Sequence, residues 1–277
     1  MIYRLHDPRL RMDRSDEKLL APLLDIARAA GGEIMRIYAG EFTVETKADM
    51  SPVTEADLAA HRVIVADLNR ITPGIPVLSE ESANIPFEER RRWDSYWLVD
   101  PLDGTKEFIS KNGDFTVNIA LIQNGVPILG VVHVPVTGMS YYGCVGVGAL
   151  KRDKDGQTSP IKVRKLIEGK PVKVVASRSH KGELLDGYLA KLGPHETVSR
   201  GSSLKFCLVA EGLADVYPRL GPTSEWDTGA GHAVLLAAGG QVIGMDGKPL
   251  PYNSKDSLLN PHFIAYADSS RDWRSYL

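Results

Sequence analysis

The chain lacks any run approaching the ~20 consecutive apolar residues that span a bilayer. Its best candidate, Val126 to Val136, is broken by Pro127, Gly130, His133 and Pro135. No transmembrane segment is expected. Residues 1 to 14 also lack the apolar region of a secretory signal, so export is not expected. Cysteine is scarce, with only Cys144 and Cys207 among 277 residues. They show no C-x-x-C spacing and no disulfide framework, which predicts two buried thiols in a reducing compartment. An excess of either charge is missing too: 33 Lys and Arg face 35 Asp and Glu. A protein that neutralises a long phosphate backbone carries a basic surplus, so polymeric nucleic acid is excluded as a partner, while a small anionic ligand is not.

Familiar chemical signatures are absent as well. There is no Walker A, G-x-S-x-G or H-E-x-x-H motif. Gly143, Gly146 and Gly148 form no G-x-G-x-x-G and suggest a closely packed strand. The seven His are scattered without paired metal spacing, which disfavours zinc and leaves oxygen-loving Mg²⁺. His232 is expected as a packed core residue.

At roughly 100 to 200 residues per domain, the length predicts one large or two modest domains. Apolar residues recur at helical spacing from Asp16 to Tyr38 behind Ser15, and a second helix is expected from after Thr54 to about Arg70. Short β-rich runs follow: Val77-Leu78, Tyr96 to Val99, Phe115 to Ile122, Ile128 to Val134, Met139 to Tyr142 and Val145 to Leu150. Asn124-Gly125 supplies a hairpin turn. The polar stretch Lys151 to Pro160 divides this helix-plus-antiparallel half, residues 1–160, from an α/β half, residues 161–277. In the latter, strands are expected at Val172 to Ala176, Asp215 to Tyr217, Gln241 to Ile243 and Phe263 to Ala265. Helices are expected at Lys181 to Leu192, about Leu204 to Glu211, and Thr228 to Ala238. A cleft between the halves is the expected place for a site.

The densest chemical signal is Trp97-Leu-Val-Asp100-Pro-Leu-Asp103-Gly-Thr105, an apolar strand running into two carboxylates. Pro101 holds Asp100 extended, Asp103-Gly104 turns the chain, and Thr105 opens a short helix. Both carboxylates and the Leu102 carbonyl can then face one cation, beside the amides of Gly104 and Thr105. An Asx turn with a helix cap explains the same residues without function. Similar pairs of explanations stand for Glu80, at a strand end or in a solvated loop, and for Asp227, in a site or as an N-cap. Asp57 follows Thr54 as T-x-x-D, which a capping box accounts for fully. Together, Asp57, Glu80, Asp100, Asp103 and Asp227 each end an apolar element, where a packed fold can aim them into a cleft.

The ordered set Leu78-Ser-Glu80-Glu-Ser82, Trp97 to Thr105 and Trp226-Asp227 resembles the inositol monophosphatase superfamily of Mg²⁺-dependent, lithium-sensitive phosphatases. The likeness runs from about residue 20 to 265. It is closest to the bacterial 3'(2'),5'-bisphosphate nucleotidase branch, through Thr105 to Gly113, Phe115 to Ala120, Ser177 to His180, Gly201 to Phe206 and Tyr217 to Thr223. The resemblance implies a layered αβαβα sandwich of mixed α+β and α/β character. It implies Glu80, Asp100, the Leu102 carbonyl, Asp103 and Asp227 as ligands of two or three Mg²⁺. Asp57, placed 23 positions before Glu80 as in the family, is implied with Thr105 as the pair that orients the attacking water. Asp49 lies in the loop that in relatives approaches the site.

The same likeness makes Glu80, Leu102, Asp103, Gly104, Thr105, Ser177, His180, Gly201, Ser202, Lys205 and Asp227 the substrate-binding set, with Arg178 and Arg219 as further basic candidates. Lys205 and His180 have plain alternatives, as a solvated helix lysine and a neighbour of a helix cap. The implied reaction takes the 3'-phosphate from adenosine 3',5'-bisphosphate (PAP), leaving AMP, with its sulfated relative PAPS as a second substrate and a role in sulfur assimilation. The implied setting is the cytoplasm, free or peripheral on the cytoplasmic face of the inner membrane. Rival expectations are an inositol monophosphatase or fructose 1,6-bisphosphatase, which share the metal core, and a catalytically silent nucleotide-binding module.

Overall fold

A computed structural model describes residues 17–46, 52–177 and 182–277, without the side chains of Glu45, Thr46, Pro52 and Ser177. Helix α1 (Leu20–Tyr38) buries Leu23, Leu24, Ala27, Ala30 and Ile34 along one stripe. Ser15, the expected cap, lies outside the described residues. A two-stranded ribbon, β1 (Val44–Thr46) with β2 (Pro52–Thr54), leads into α2 (Glu55–Ile71). Both helices cover one face of a seven-stranded sheet. Its strands are β3 (Val77–Ser79), β4 (Ser95–Asp103), β5 (Thr116–Gln123), β6 (Val126–Val134), β7 (Met139–Cys144), β8 (Gly148–Arg152) and β9 (Thr158–Ile161), in that order. Only the β3–β4 pair is parallel. Short helices α3 (Phe87–Arg90) and α4 (Thr105–Ile109) flank β4.

The central strands are apolar throughout because both faces are buried, and period-2 alternation sorts their side chains. Trp97, Val99, Ile119 and Leu121 pack with α1 and α2. Tyr96, Leu98, Ala120 and Ile122 pack the other way, against the C-terminal half. That half holds β10 (Val172–Ser177), α5 (Glu183–Leu192), β11 (His195–Arg200), α6 (Leu204–Ala210), β12 (Val216–Arg219), α7 (Glu225–Ala237), β13 (Gln241–Gly244) and β14 (Phe263–Tyr266). Its five-stranded sheet runs β11-β10-β12-β14-β13. Helices α6 and α7 fill the space between the two sheets, and α5 closes the outer face of the second. The layers are therefore αβαβα.

One contact fixes the middle of the sandwich. A Cβ on Gly130 of β6 would lie 2.4 Å from the carbonyl oxygen of Ala230 on α7, so the two backbones meet where no side chain fits. Gly143, on the adjacent β7, would bring a Cβ to 2.8 Å from the Ala237 methyl. Of the close packing expected there only this glycine shows it, because residues 145–147 form the β7–β8 turn and a Cβ on Gly148 would have nothing within 4 Å.

Three local differences from the sequence expectations have physical causes. The polar stretch 151–160, expected as the divide between the halves, belongs to the β8–β9 hairpin, whose outer strand is exposed and carries no apolar alternation. Strand β11 was not expected, because it is an edge strand with mostly solvated residues. Helix α7 begins at Glu225, earlier than expected. Cys144 and Cys207 are buried, and His232 is a fully buried core residue. Among the described residues, no helix is long and apolar enough to cross a membrane.

Candidate active site

Strict alternation along β4 would send Asp100 and Asp103 to opposite faces of the sheet. A bulge prevents this. Asp100 pairs with Asn118 and Asp103 with Thr116, so three steps on β4 match two on β5. Pro101, which has no N–H for the ladder, sits inside the irregularity. The amide of Leu102 donates to Asp100 Oδ1 at 3.1 Å, closing the Asx turn. The Asx turn is present and, with the bulge, re-aims the second carboxylate, whereas the short helix that follows has no side-chain cap.

Asp227 comes from the start of α7. It occupies the third helical position rather than the cap, and its Oδ2 accepts from the Ser224 amide at 2.9 Å and the Thr223 hydroxyl at 2.6 Å. Carboxylate oxygens of Asp100, Asp103 and Asp227 lie within 4.8 Å of one another. Glu80 joins from the neighbouring strand: Ser79 is in parallel register with Val99, so Glu80 and Asp100 follow directly beyond the last pair. Glu80 is half-buried in a short 3₁₀ turn, Glu80–Ser82.

Asp57 stands on α2, 2% exposed. Its Oδ2 takes the amide of Thr54 at 2.8 Å and the hydroxyl of Thr54 at 2.7 Å, while its Oδ1 accepts from the hydroxyl of Thr105 at 3.2 Å. The capping box is present, yet it occupies only one oxygen.

Gly104 precedes α4 with φ of 101°, and a Cβ there would sit 2.7 Å from Ser202 Oγ. That hydroxyl lies 2.9 Å from the Asp103 carbonyl and 2.5 Å from the Asp114 carbonyl, and the amide of Gly201 donates to Asp114 Oδ2 at 3.1 Å. Gly201 and Ser202 therefore lock their loop onto the turn at Asp103-Gly104. Four residues that sequence reasoning missed support the site: Thr54, Asn118, Ser203 and Thr223. Thr54 and Thr223 bond acids three and four positions on, and only the first shows in the sequence, as a cap; Asn118 and Ser203 bond each other from 85 positions apart, which nothing local marks.

Burial is the main force on the cluster. It pushes the Asp100 carboxyl well above the ordinary range, and the charges of Glu80, Asp103, Asp227 and Asp57 push it further. The other four acids singled out in the sequence thus all act on Asp100. Asp103 is raised to about 7 by burial and by Asp227, against the lowering influence of Lys205, Asn118 and Ser203. Lys205 is 7% exposed, which rules out a solvated helix lysine. Burial lowers its pKa to about 8, with Asp103 opposing. Its Nζ donates to the Ser202 carbonyl at 2.6 Å and lies 5.7 Å from the centre of the Tyr217 ring.

A cavity of about 160 Å³ adjoins the cluster, lined by Asp103, Glu107, Gly201, Ser202, Lys205, Tyr217, Arg219, Thr223 and Asp227, among others. Of the remaining sequence candidates, Leu102 has a buried side chain in the first core, and Ser177 ends β10. Asp49, Arg178, His180 and the Ser177 side chain lie outside the described residues. Close hard oxygens, buried and mutually repelling, are a donor set that a divalent cation fits and that water alone would not hold together.

The model of the inositol monophosphatase family matches residues 15–272. The chain belongs to the inositol monophosphatase family. Enzymes of that family are generally metal-dependent, in keeping with the acidic cluster. Among curated relatives, the 3'(2'),5'-bisphosphate nucleotidase CysQ of Salmonella typhimurium is 53% identical over 88% of this chain and 98% of its own. Among solved structures, CysQ from Bacteroides thetaiotaomicron superposes with a TM-score of 0.79 at 44% identity, covering 94% of this chain and 98% of that one. The extragenic suppressor protein suhB from Bartonella henselae, 23% identical with a TM-score of 0.78 over 94% and 98% of the two chains, shares the fold.

Proposed function

We propose that this chain hydrolyses the 3'-phosphate of adenosine 3',5'-bisphosphate to AMP and phosphate, with PAPS as a second substrate giving APS. The observation that carries this is the Thr105–Asp57 hydrogen bond beside the clustered Asp100, Asp103 and Asp227 carboxylates, with the Asp57 charge felt at Asp100. The identity to bisphosphate nucleotidases over nearly the whole chain supports the choice of substrate. Two buried cysteines, with no disulfide framework, are in keeping with a cytoplasmic enzyme.

Glu80, Asp100, the Leu102 carbonyl, Asp103 and Asp227 would hold two or three Mg²⁺. Bound ions of this kind lower the pKa of a water and neutralise the oxygen that leaves phosphorus. The side chains do the positioning. The Thr105 proton is directed to Asp57, so the lone pairs of Thr105 Oγ1 remain to accept a hydrogen bond from the attacking water. With its own proton engaged, Thr105 orients and is not the nucleophile. Water forms the new P–O bond, the bond to the 3'-oxygen breaks, and that oxygen takes up a proton. The amides of Gly104 and Thr105 are the donors assigned to the phosphate oxygens.

The second phosphate and the sugar fall to Ser177, His180, Gly201, Ser202 and Lys205. The buried ammonium of Lys205 at the cavity wall supports this assignment. Product identity tests the proposal: chromatography of the reaction mixture is expected to show AMP phosphorylated at the 5' position. Accumulation of the 3' monophosphate would contradict it.

A further inference from the structure

The mechanism leaves unused a buried polar relay behind Asp103. Thr116, Asn118 and Ser203 are each no more than 1% exposed. The Thr116 hydroxyl donates to Asn118 Oδ1 at 3.0 Å, and Asn118 Nδ2 donates to Asp103 Oδ2 at 3.2 Å and to Ser203 Oγ at 2.9 Å. One acceptor and both amide protons of Asn118 are thereby used, and a flipped amide would set its oxygen against a carboxylate. Ser203 Oγ lies 2.6 Å from the Asp227 carbonyl and 3.1 Å from Asp103 Oδ2. Its single proton serves the nearer carbonyl in full or is shared between the two.

The relay therefore reaches three separate segments that meet at the cluster: β5, the turn before α6, and the start of α7. The Asn118 hydrogen bond and the Ser203 hydroxyl contact both fall on Asp103 Oδ2. Such contacts fix the orientation of a ligating carboxylate and leave its other oxygen free for a cation.

We propose that Asn118 and Ser203 are positioning residues that set the cation affinity of the cluster, by holding Asp103 Oδ2 and the Asp227 backbone in one rigid arrangement. This rests on the assignment of Asp103 and Asp227 as metal ligands, and not on which phosphate ester is cleaved. The alternative is a structural tie between β5 and the C-terminal half, with no bearing on metal.

The test measures binding of Mn²⁺, as a paramagnetic stand-in for Mg²⁺, to the full chain without substrate by electron paramagnetic resonance. Melting temperature and the Mg²⁺ dependence of phosphate release are followed in parallel. Asn118→Ala and Ser203→Ala are each expected to weaken Mn²⁺ binding about 10- to 100-fold. The Mg²⁺ needed for half-maximal rate should rise by the same factor, with kcat at saturating Mg²⁺ largely kept. Because the two side chains bond each other, the double variant should lose less than the product of the single losses. Ser203→Ala removes one oxygen only, which keeps the test open if Asn118→Ala does not fold. Unchanged Mn²⁺ affinity in a folded variant, with or without a lower melting temperature, would overturn the proposal. Tight Mn²⁺ binding that weakens as expected, in a protein that hydrolyses no nucleotide bisphosphate, would uphold the relay and remove the proposed substrate instead.

Discussion

Thr105 donates its hydroxyl proton to Asp57 Oδ1 across 3.2 Å, while Oδ2 of the same carboxylate is held by the amide and the hydroxyl of Thr54. One carboxylate thus starts a helix with one oxygen and holds the Thr105 hydroxyl with the other, the second task being the proposed catalytic one. Replacing Thr105 by Ala removes only the second task. Turnover is expected to fall about 10²-fold or more, the range for a lost proton-handling group, with melting temperature and cation affinity near those of the parent. An unchanged kcat would remove Thr105 from the mechanism.

Asp57→Asn strikes both tasks. If the amide oxygen stays with Thr54, its NH₂ faces Thr105 and reverses the hydrogen bond on which water orientation depends. If the amide flips, the cap loses its acceptor. Activity should fall as far as in Thr105→Ala, and stability should drop by about 1 kcal/mol, the usual value of a cap. Thermal unfolding of the two variants side by side separates the tasks: only Asp57→Asn should melt earlier.

The acidic cluster predicts a distinct pH dependence for the metal-free protein. The Asp103 carboxyl is raised to about 7 in the fold, against an ordinary value near 3.9 in the unfolded chain. Between those values the folded state binds the extra proton, so its contribution to stability is present at low pH and is lost as pH rises toward about 7. Asp100, also raised, acts in the same direction. Denaturant melts in chelator should show the parent losing stability relative to Asp103→Asn as pH rises from about 4 to about 7. Added Mg²⁺ should restore the parent and not the variant. A parent whose stability rises relative to the variant across that window would contradict this account of the cluster.

Gly130→Ala tests how the sandwich holds Asp227. A methyl at this position meets the Ala230 carbonyl at 2.4 Å, so α7 must move off β6. A cost of about 1–3 kcal/mol is expected for such overpacking, accompanied by weaker cation binding because Asp227 begins the displaced helix. Normal stability would mean that the two backbones are not in contact as described.

Much of the site was legible because its acids sit at the ends of strongly patterned elements. Asp57 after Thr54, Glu80 after a short strand and the Asp100 to Thr105 segment all appear where the sequence pattern placed them. Capping and function had seemed to compete at Asp57 and Asp227. In both cases one oxygen of the third helical residue takes the amide of the cap residue, and at Asp57 the other oxygen accepts from the Thr105 hydroxyl. The bulge at Pro101-Leu102 was legible only as a turn, since strand register depends on the partner, β5. Asn118 and Ser203 were not legible at all: their hydrogen bonds join positions 85 apart in the chain, and no local period encodes that. The exposed edges β9 and β11 were missed for the opposite reason, because little apolar surface there has to be hidden.

Lys205 is the residue proposed to read the second phosphate. Its burial beside Ser202 and Tyr217 places an ammonium in the cavity wall, where a second phosphate on the substrate would find it. Lys205→Ala should raise KM for adenosine 3',5'-bisphosphate far more than for a simple monophosphate ester. Equal effects on the two would contradict a part in reading the second phosphate.

The most direct test compares phosphate release from adenosine 3',5'-bisphosphate, inositol 1-phosphate and fructose 1,6-bisphosphate by the same preparation, with Mg²⁺, with chelator and with added Li⁺. Hydrolysis should require Mg²⁺ and be inhibited by Li⁺. The kcat/KM for the nucleotide should exceed that for either sugar phosphate by about tenfold or more, over 1.4 kcal/mol of transition-state preference. A higher kcat/KM for either sugar phosphate, or release that persists in chelator, would contradict the account.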